Sequence, residues 1–138
     1  MNVGITGTGL TPSSQNNLKK ILDDSGIEHV QIGSKSKIKK LDCIVVLGGD
    51  RGVRNYFHRT FDATIPVLGI NESESNGFLA QIDLKEFATY VKKLKKLNYK
   101  VEEVTRLGVK IDGKNVYPVL NDVAAVSYTH LRAHETLR

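Results

Sequence analysis

An apolar run at residues 43–47, CIVVL, stops at Gly48, Gly49 and Asp50, and Arg51, Gly52 and Arg54 follow at once. Glycines at a strand end let the backbone come close to a phosphate and offer bare N–H donors. A carboxylate in that place repels phosphate, so Asp50 needs a different task. Within reach of a substrate hydroxyl it could accept the proton as a phosphate is transferred, which is general-base work. The same residues also suit a plain strand-end turn in which Asp50 caps the next helix. No GxxxxGK[ST] phosphate loop is present.

A second glycine-rich turn, GINESESNGFL at residues 69–79, follows another apolar run. Two such loops on one parallel sheet can both open at its carboxyl edge, where ligands bind in α/β folds. Asn71 begins this loop, and Phe78 near its end offers either a stacking surface for a base or a core side chain. Asn121 and Asp122 interrupt an apolar, strand-like run. They suit hydrogen bonds to sugar hydroxyls, or an outward-facing strand edge. The segment GTGLTP at residues 7–12 has Pro12 where a dinucleotide fingerprint needs its third glycine, so it reads as a tight turn.

These loops need strands and helices to place them. Residues 2–7 read as a strand. Thr11 or Ser13 can cap the helix that follows, Pro12 suits its first turn and Gly26 can end it. Strands are expected at 28–32, 43–47 and 65–70, and helices at 53–61 and 84–97. In the last, Leu84, Phe87, Ala88, Val91, Leu94 and Leu97 recur at helical spacing. Strands alternating with helices, and apolar on both faces, imply a three-layer α/β unit with a parallel sheet over residues 1–98. After Tyr99 the pattern alternates like antiparallel strands, and Asp112-Gly113 signals a hairpin. The first strands of a second, truncated β domain are therefore expected at residues 99–125.

The chain has 138 residues, 40% apolar and 25% charged, which suits one domain with a core and the start of another. No apolar run approaches the roughly 20 residues that span a bilayer, and the first residues read as a strand rather than a signal peptide. The single cysteine, Cys43, lies in an apolar run and is expected to be a buried, inert thiol in a cytosolic protein. Net charge is +5, with lysines gathered at 35–40 and 92–96. The first group lacks interleaved aromatics and the second falls on the outer side of a helix, so both read as solvated faces and no nucleic-acid partner is expected. Residues 126–138 fit neither pattern. Their text resembles a translated adapter from sequencing libraries, so His130 and His134 are not read as a metal pair and this tail is expected to be non-native.

Taken together, LGGD, then PVLGIN with GFL close behind, then LNDV, resemble the NAD kinases over residues 1–125 in order and spacing. The Gly-Gly-Asp element alone is shared with lipid kinases and phosphofructokinases. The resemblance implies a Rossmann-like domain and transfer of a phosphate from ATP, with a divalent cation such as Mg, to the adenosine 2′-hydroxyl of NAD. It implies that Asp50 is the base and that Gly48, Gly49, Arg51, Gly52 and Asn71 belong to the nucleotide site. Phe78 would line the adenine pocket, and Asn121 and Asp122 would hold ribose hydroxyls. It further implies a homo-oligomer, and a chain inactive by itself because the rest of the β domain completes the NAD site. Two departures stand out. Arg51 stands fourth where the family's motif runs Gly-Gly-Asp-Gly, and the second loop is one residue longer without its inner glycine. Arg51 could clamp phosphate in place of backbone donors, or depress the pKa of Asp50 and weaken it as a base. The competing reading is a non-catalytic dinucleotide sensor; a lipid kinase is a more distant one.

Overall fold

Every residue of the strand Cys43–Leu47 is buried, so something must cover each face of the sheet that contains it. The computed structural model describes residues 1–33, 40–60, 63–73 and 77–120. In chain order the elements are β1 (Asn2–Gly7), α1 (Pro12–Asp24), β2 (Glu28–Gln31), β3 (Cys43–Leu47), α2 (Gly49–His58), β4 (Val67–Asn71), β5 (Ile82–Asp83), α3 (Leu84–Lys95), β6 (Leu107–Ile111) and β7 (Lys114–Val119). Five strands form one sheet in the order β2-β1-β3-β4-β5, and every pairing in it is parallel. The expected three-layer α/β unit is what forms.

Alternation along β3 supplies both interfaces. Cys43, Val45 and Leu47 pack with Leu18 and Leu22 of α1 and with Phe87 and Val91 of α3. Ile44 and Val46 face the other way, onto Val53, Tyr56 and Phe57 of α2. Burial pushes the Cys43 thiol up to about 11, with a smaller upward push from Asp42 and an opposing hydrogen bond to Ile44. A thiol that stays protonated at neutral pH is a poor nucleophile.

Helix starts follow the sequence signals. Thr11 caps α1 by accepting the Ser14 N–H at 3.2 Å, and Pro12 opens the helix. At α3, Asp83 accepts from the Glu86 N–H at 2.8 Å while the Glu86 carboxylate accepts from the Asp83 N–H at 3.1 Å. Such a reciprocal box satisfies two otherwise orphaned donors and contributes about 1 kcal/mol.

Several boundaries differ from expectation. Helix α2 begins at Gly49 and not at residue 53, which puts Asp50 inside its first turn. Helix α3 stops at Lys95; Leu97 turns into positive φ and is 63% exposed, and Ala88 is exposed as well. Strand β5 has only two residues and no periodicity to announce it.

Beyond α3 the expected antiparallel pair appears as β6 and β7. Asp112 and Gly113 have φ of 49° and 76°, the left-handed pair that a tight two-residue hairpin requires. Arg106, just before β6, ties the hairpin to α2: its Nη1 donates to Thr60 O at 2.6 Å and to Phe57 O at 3.3 Å. A cation at the carboxyl end of a helix also complements its dipole. Asn121, Asp122, His130, His134 and the rest of the tail lie outside the described residues, as do five of the six residues at 35–40.

Candidate functional site

Strand order reverses at β1, since β2 lies on one side of it and β3 on the other. A crevice opens at such a switch point, outside the carboxyl ends of the strands. Here it is a cleft of about 460 Å³ lined by Thr8 and Gly9 after β1, by Gly48, Gly49, Asp50 and Arg51 after β3, and by Asn71, Glu72 and Gly77 after β4. The two glycine loops therefore share one edge of the sheet and one cleft. Gly48 and Gly49 turn the chain from β3 into α2 with φ of 120° and 63°, values that residues with a Cβ adopt only under strain.

The carboxylate of Asp50 does not cap its helix. Gly48 is the N-cap and makes no side-chain capping bond. Instead Asp50 reaches the connection between β4 and β5. Its Oδ1 accepts from the Leu79 N–H at 2.8 Å and the Ala80 N–H at 2.9 Å, and its Oδ2 from the Phe78 N–H at 2.9 Å. Gly77 makes room for this: a Cβ there would run into Asp50 Oδ1 and Ala80 O. A carboxylate has about four acceptor positions, so one on Oδ2 is left for a ligand.

Desolvation raises the pKa of Asp50, but the N–H bonds from Ala80, Phe78 and Leu79, helped by the Arg54 guanidinium, outweigh it and leave the group below its ordinary 3.8. Asp50 is thus ionised throughout the neutral range. A depressed folded-state pKa contributes stability that is complete above 3.8 and is lost as pH falls through the lower folded value. We therefore expect the stability difference between wild type and Asp50→Asn, followed by urea unfolding, to be constant near neutrality and to shrink below pH 3.8. A difference that grows on acidification would contradict this.

Arg51 is exposed on the cleft wall in the first turn of α2. Glu72, after β4, lines the same cleft, and its Oε1 accepts the Thr11 N–H at 3.2 Å. Phe78 is 85% exposed, which removes the core-packing option and leaves an apolar ring facing solvent beside the Asp50 clasp. Gly52 does not line the cleft. It is buried against β3, where a Cβ would sit 3.1 Å from Leu47 O, so its part is close packing of helix on strand.

Residues 9–100 match the ATP-NAD kinase N-terminal domain family. The chain belongs to the NAD kinase family. It is 29% identical over 109 residues to an NAD kinase of Methanopyrus kandleri, an alignment covering 78% of this chain and 39% of that protein. It is 30% identical over 113 residues to an NAD kinase of Clostridium botulinum, covering 80% and 38% respectively. Two solved structures share the fold. An NAD kinase from Archaeoglobus fulgidus in complex with ATP superposes with a TM-score of 0.56 at 21% identity, over 78% of this chain and 41% of the other. Yeast NADH kinase complexed with NADH gives 0.63 at 19% identity, over 86% and 46%. The chain spans about 40% of the length of the curated NAD kinases it matches.

Four cleft residues of this NAD kinase family member escaped the sequence reading as site residues: Thr8, Gly9, Glu72 and Gly77. The GTG at the end of β1 was the available signal, because a strand-end turn beside a switch point lies at the crevice whether or not it completes a fingerprint.

Proposed function

We propose that the full-length protein transfers a phosphate from ATP to the 2′-hydroxyl of NAD, giving NADP. The observation that carries this reading is the ionised Asp50, held in the switch-point cleft with one acceptor position left on Oδ2. Asp50 accepts a hydrogen bond from the 2′-hydroxyl there, fixes its oxygen for attack and takes its proton as the bond to the γ-phosphorus forms, the bond from that phosphorus to the bridging oxygen breaks and ADP leaves. The N–H groups of the Gly48-Gly49 turn and the Arg51 guanidinium bind the phosphates. Phe78 lies against the adenine, and Asn121 and Asp122, assigned from the sequence, hold ribose hydroxyls.

Among the described residues no three His, Cys, Asp or Glu gather into a metal site. That composition fits a cation brought in on the nucleotide, since Mg²⁺ in kinases typically takes one or two carboxylates plus substrate phosphates. Of the two carboxylates that line the cleft, Asp50 and Glu72, we assign Glu72 to such a set. When bound, the cation neutralises charge on the phosphates. We place the protein in the cytosol, on the support of Cys43, a single free cysteine where extracellular domains commonly carry paired ones.

The alternative is a dinucleotide sensor without transfer activity. It is favoured by the three N–H bonds that make Asp50 a weak base. NADP formation by the full-length protein from NAD, ATP and Mg²⁺ decides between them. Turnover supports the kinase; tight NAD binding with no NADP selects the sensor.

A further inference from the structure

Asn71 is expected from the sequence to touch the nucleotide, yet only 5% of it is exposed. Its Nδ2 donates to Ala80 O at 2.5 Å. The N–H of the same Ala80 goes to Asp50 Oδ1 at 2.9 Å. Ala80 is fully buried, so both of its main-chain groups depend on protein partners, and both are met by side chains from other elements, Asp50 in the first turn of α2 and Asn71 at the end of β4. Asn71 also abuts the first glycine turn, because a Cβ on Gly49 would lie 2.6 Å from Asn71 Oδ1. One buried amide thus bridges the β3–α2 turn and the β4–β5 connection.

We propose that Asn71 is a positioning residue. By holding Ala80 through its carbonyl, it aims the Leu79 and Ala80 N–H groups at Asp50 Oδ1, fills that oxygen and leaves Oδ2 as the one that meets an incoming hydroxyl. The last step rests on the kinase reading of Asp50; the clasp of Asn71, Ala80 and Asp50 does not. Without the Asn71 donor, Ala80 O is a buried carbonyl lacking this bond, and the cheapest relief is to rotate the segment toward water. That rotation withdraws donors from Asp50. The effect is transmitted within one residue, from carbonyl to amide, and needs no contact between Asn71 and substrate.

The test uses the 138-residue chain and NMR. The Asp50 carboxyl carbon and the amides of Phe78, Leu79 and Ala80 are followed as pH is lowered. Arg51 and Arg54 on α2 and Glu72 after β4 are the other charged groups near the site, and Asn71→Ala leaves all of them in place. In wild type the three amides should titrate together with Asp50, with a midpoint below 3.8. In Asn71→Ala the midpoint should rise toward that ordinary value, and the Ala80 amide should exchange with solvent about tenfold faster, the worth of one hydrogen bond. Gly77→Ala, which drives a methyl group onto Asp50 Oδ1 and Ala80 O, should reproduce both changes from the opposite side. A folded Asn71→Ala with an unmoved midpoint and unchanged amides overturns the proposal. Should that variant fail to fold, the Asn71 side-chain NH₂ signals of wild type decide: signals that shift with the Asp50 titration support the coupling through Ala80, and signals that stay fixed overturn it. None of these readouts uses phosphate transfer, so a full-length protein that makes no NADP counts against the kinase reading and not against the clasp.

Discussion

In the full-length protein, Asp50→Asn lowers NADP formation by about 10²–10⁴-fold, the usual contribution of a general base, while NAD affinity stays within a few-fold. The amide keeps the size of the side chain and one acceptor oxygen. That oxygen can still take the Leu79 and Ala80 N–H bonds that Oδ1 takes now. The new NH₂ replaces Oδ2, where it can accept neither the Phe78 N–H nor a substrate hydroxyl. The Phe78 N–H is exposed and turns to water at little cost, so the loop and Phe78 stay close to where they were. What disappears is the acceptor for the hydroxyl proton. A burst-free time course of NADP formation, with NAD binding measured separately, checks both halves. Near-wild-type turnover would reduce Asp50 to a strut for the β4–β5 connection.

The second large effect concerns Arg51. Its guanidinium is exposed on the cleft wall, next to the Gly48-Gly49 turn and at the amino end of α2. A triphosphate in the cleft meets it as the one cationic side chain that lines the site among the described residues. Arg51→Gly removes one charge-assisted contact, a loss of about 1.5–3 kcal/mol, so ATP affinity falls roughly ten- to a hundredfold. The same change restores the glycine that the resemblance to NAD kinases leads one to expect there. Unchanged or tighter ATP binding in that variant, at matched Mg²⁺ and salt, would show that backbone donors suffice and that Arg51 clamps nothing. Arg51 lies close to Asp50, but the cation that acts on the Asp50 carboxyl is Arg54, four residues along the same helix. Arg51→Gly therefore probes donor binding with little effect on the base.

The parallel sheet was legible because its evidence is local. Residues 43–47 are an apolar run that stops at Gly48, residues 2–7 carry Val3 and Ile5 in alternation before Gly7, and each is a strand with those bounds. Asp112-Gly113 is legible for the same reason, since left-handed φ at two successive positions is a property of those residue types. The start of α2 was hidden. Gly49, Asp50 and Gly52 are poor helix formers, and the helix begins among them because Gly52 must lie flat against β3, with Leu47 O 3.1 Å from where its Cβ would be.

The partners of Asp50 were hidden more deeply. Its three hydrogen bonds reach 28, 29 and 30 residues along the chain, and nothing in Gly-Gly-Asp distinguishes a carboxylate that caps its own helix from one that crosses to the next loop. Asn71 shows another side of this limit. The resemblance implies a place in the nucleotide site, and Asn71 does line the cleft, but its burial and the bond from its amide to Ala80 O are not readable from the sequence. Chemistry-bearing types were readable; which of them face the cleft depended on how the β4–β5 connection folds back.

The most direct test of the account is the identity of the product. The full-length protein is incubated with ATP, Mg²⁺ and NAD, in parallel with an NAD analogue that lacks the adenosine 2′-hydroxyl, and phosphorus NMR follows both reactions. The account predicts a new phosphomonoester signal matching NADP with NAD, none with the analogue, and ADP released in equal amount to the NADP formed. A phosphomonoester on the analogue, or ADP released without NADP, would contradict it.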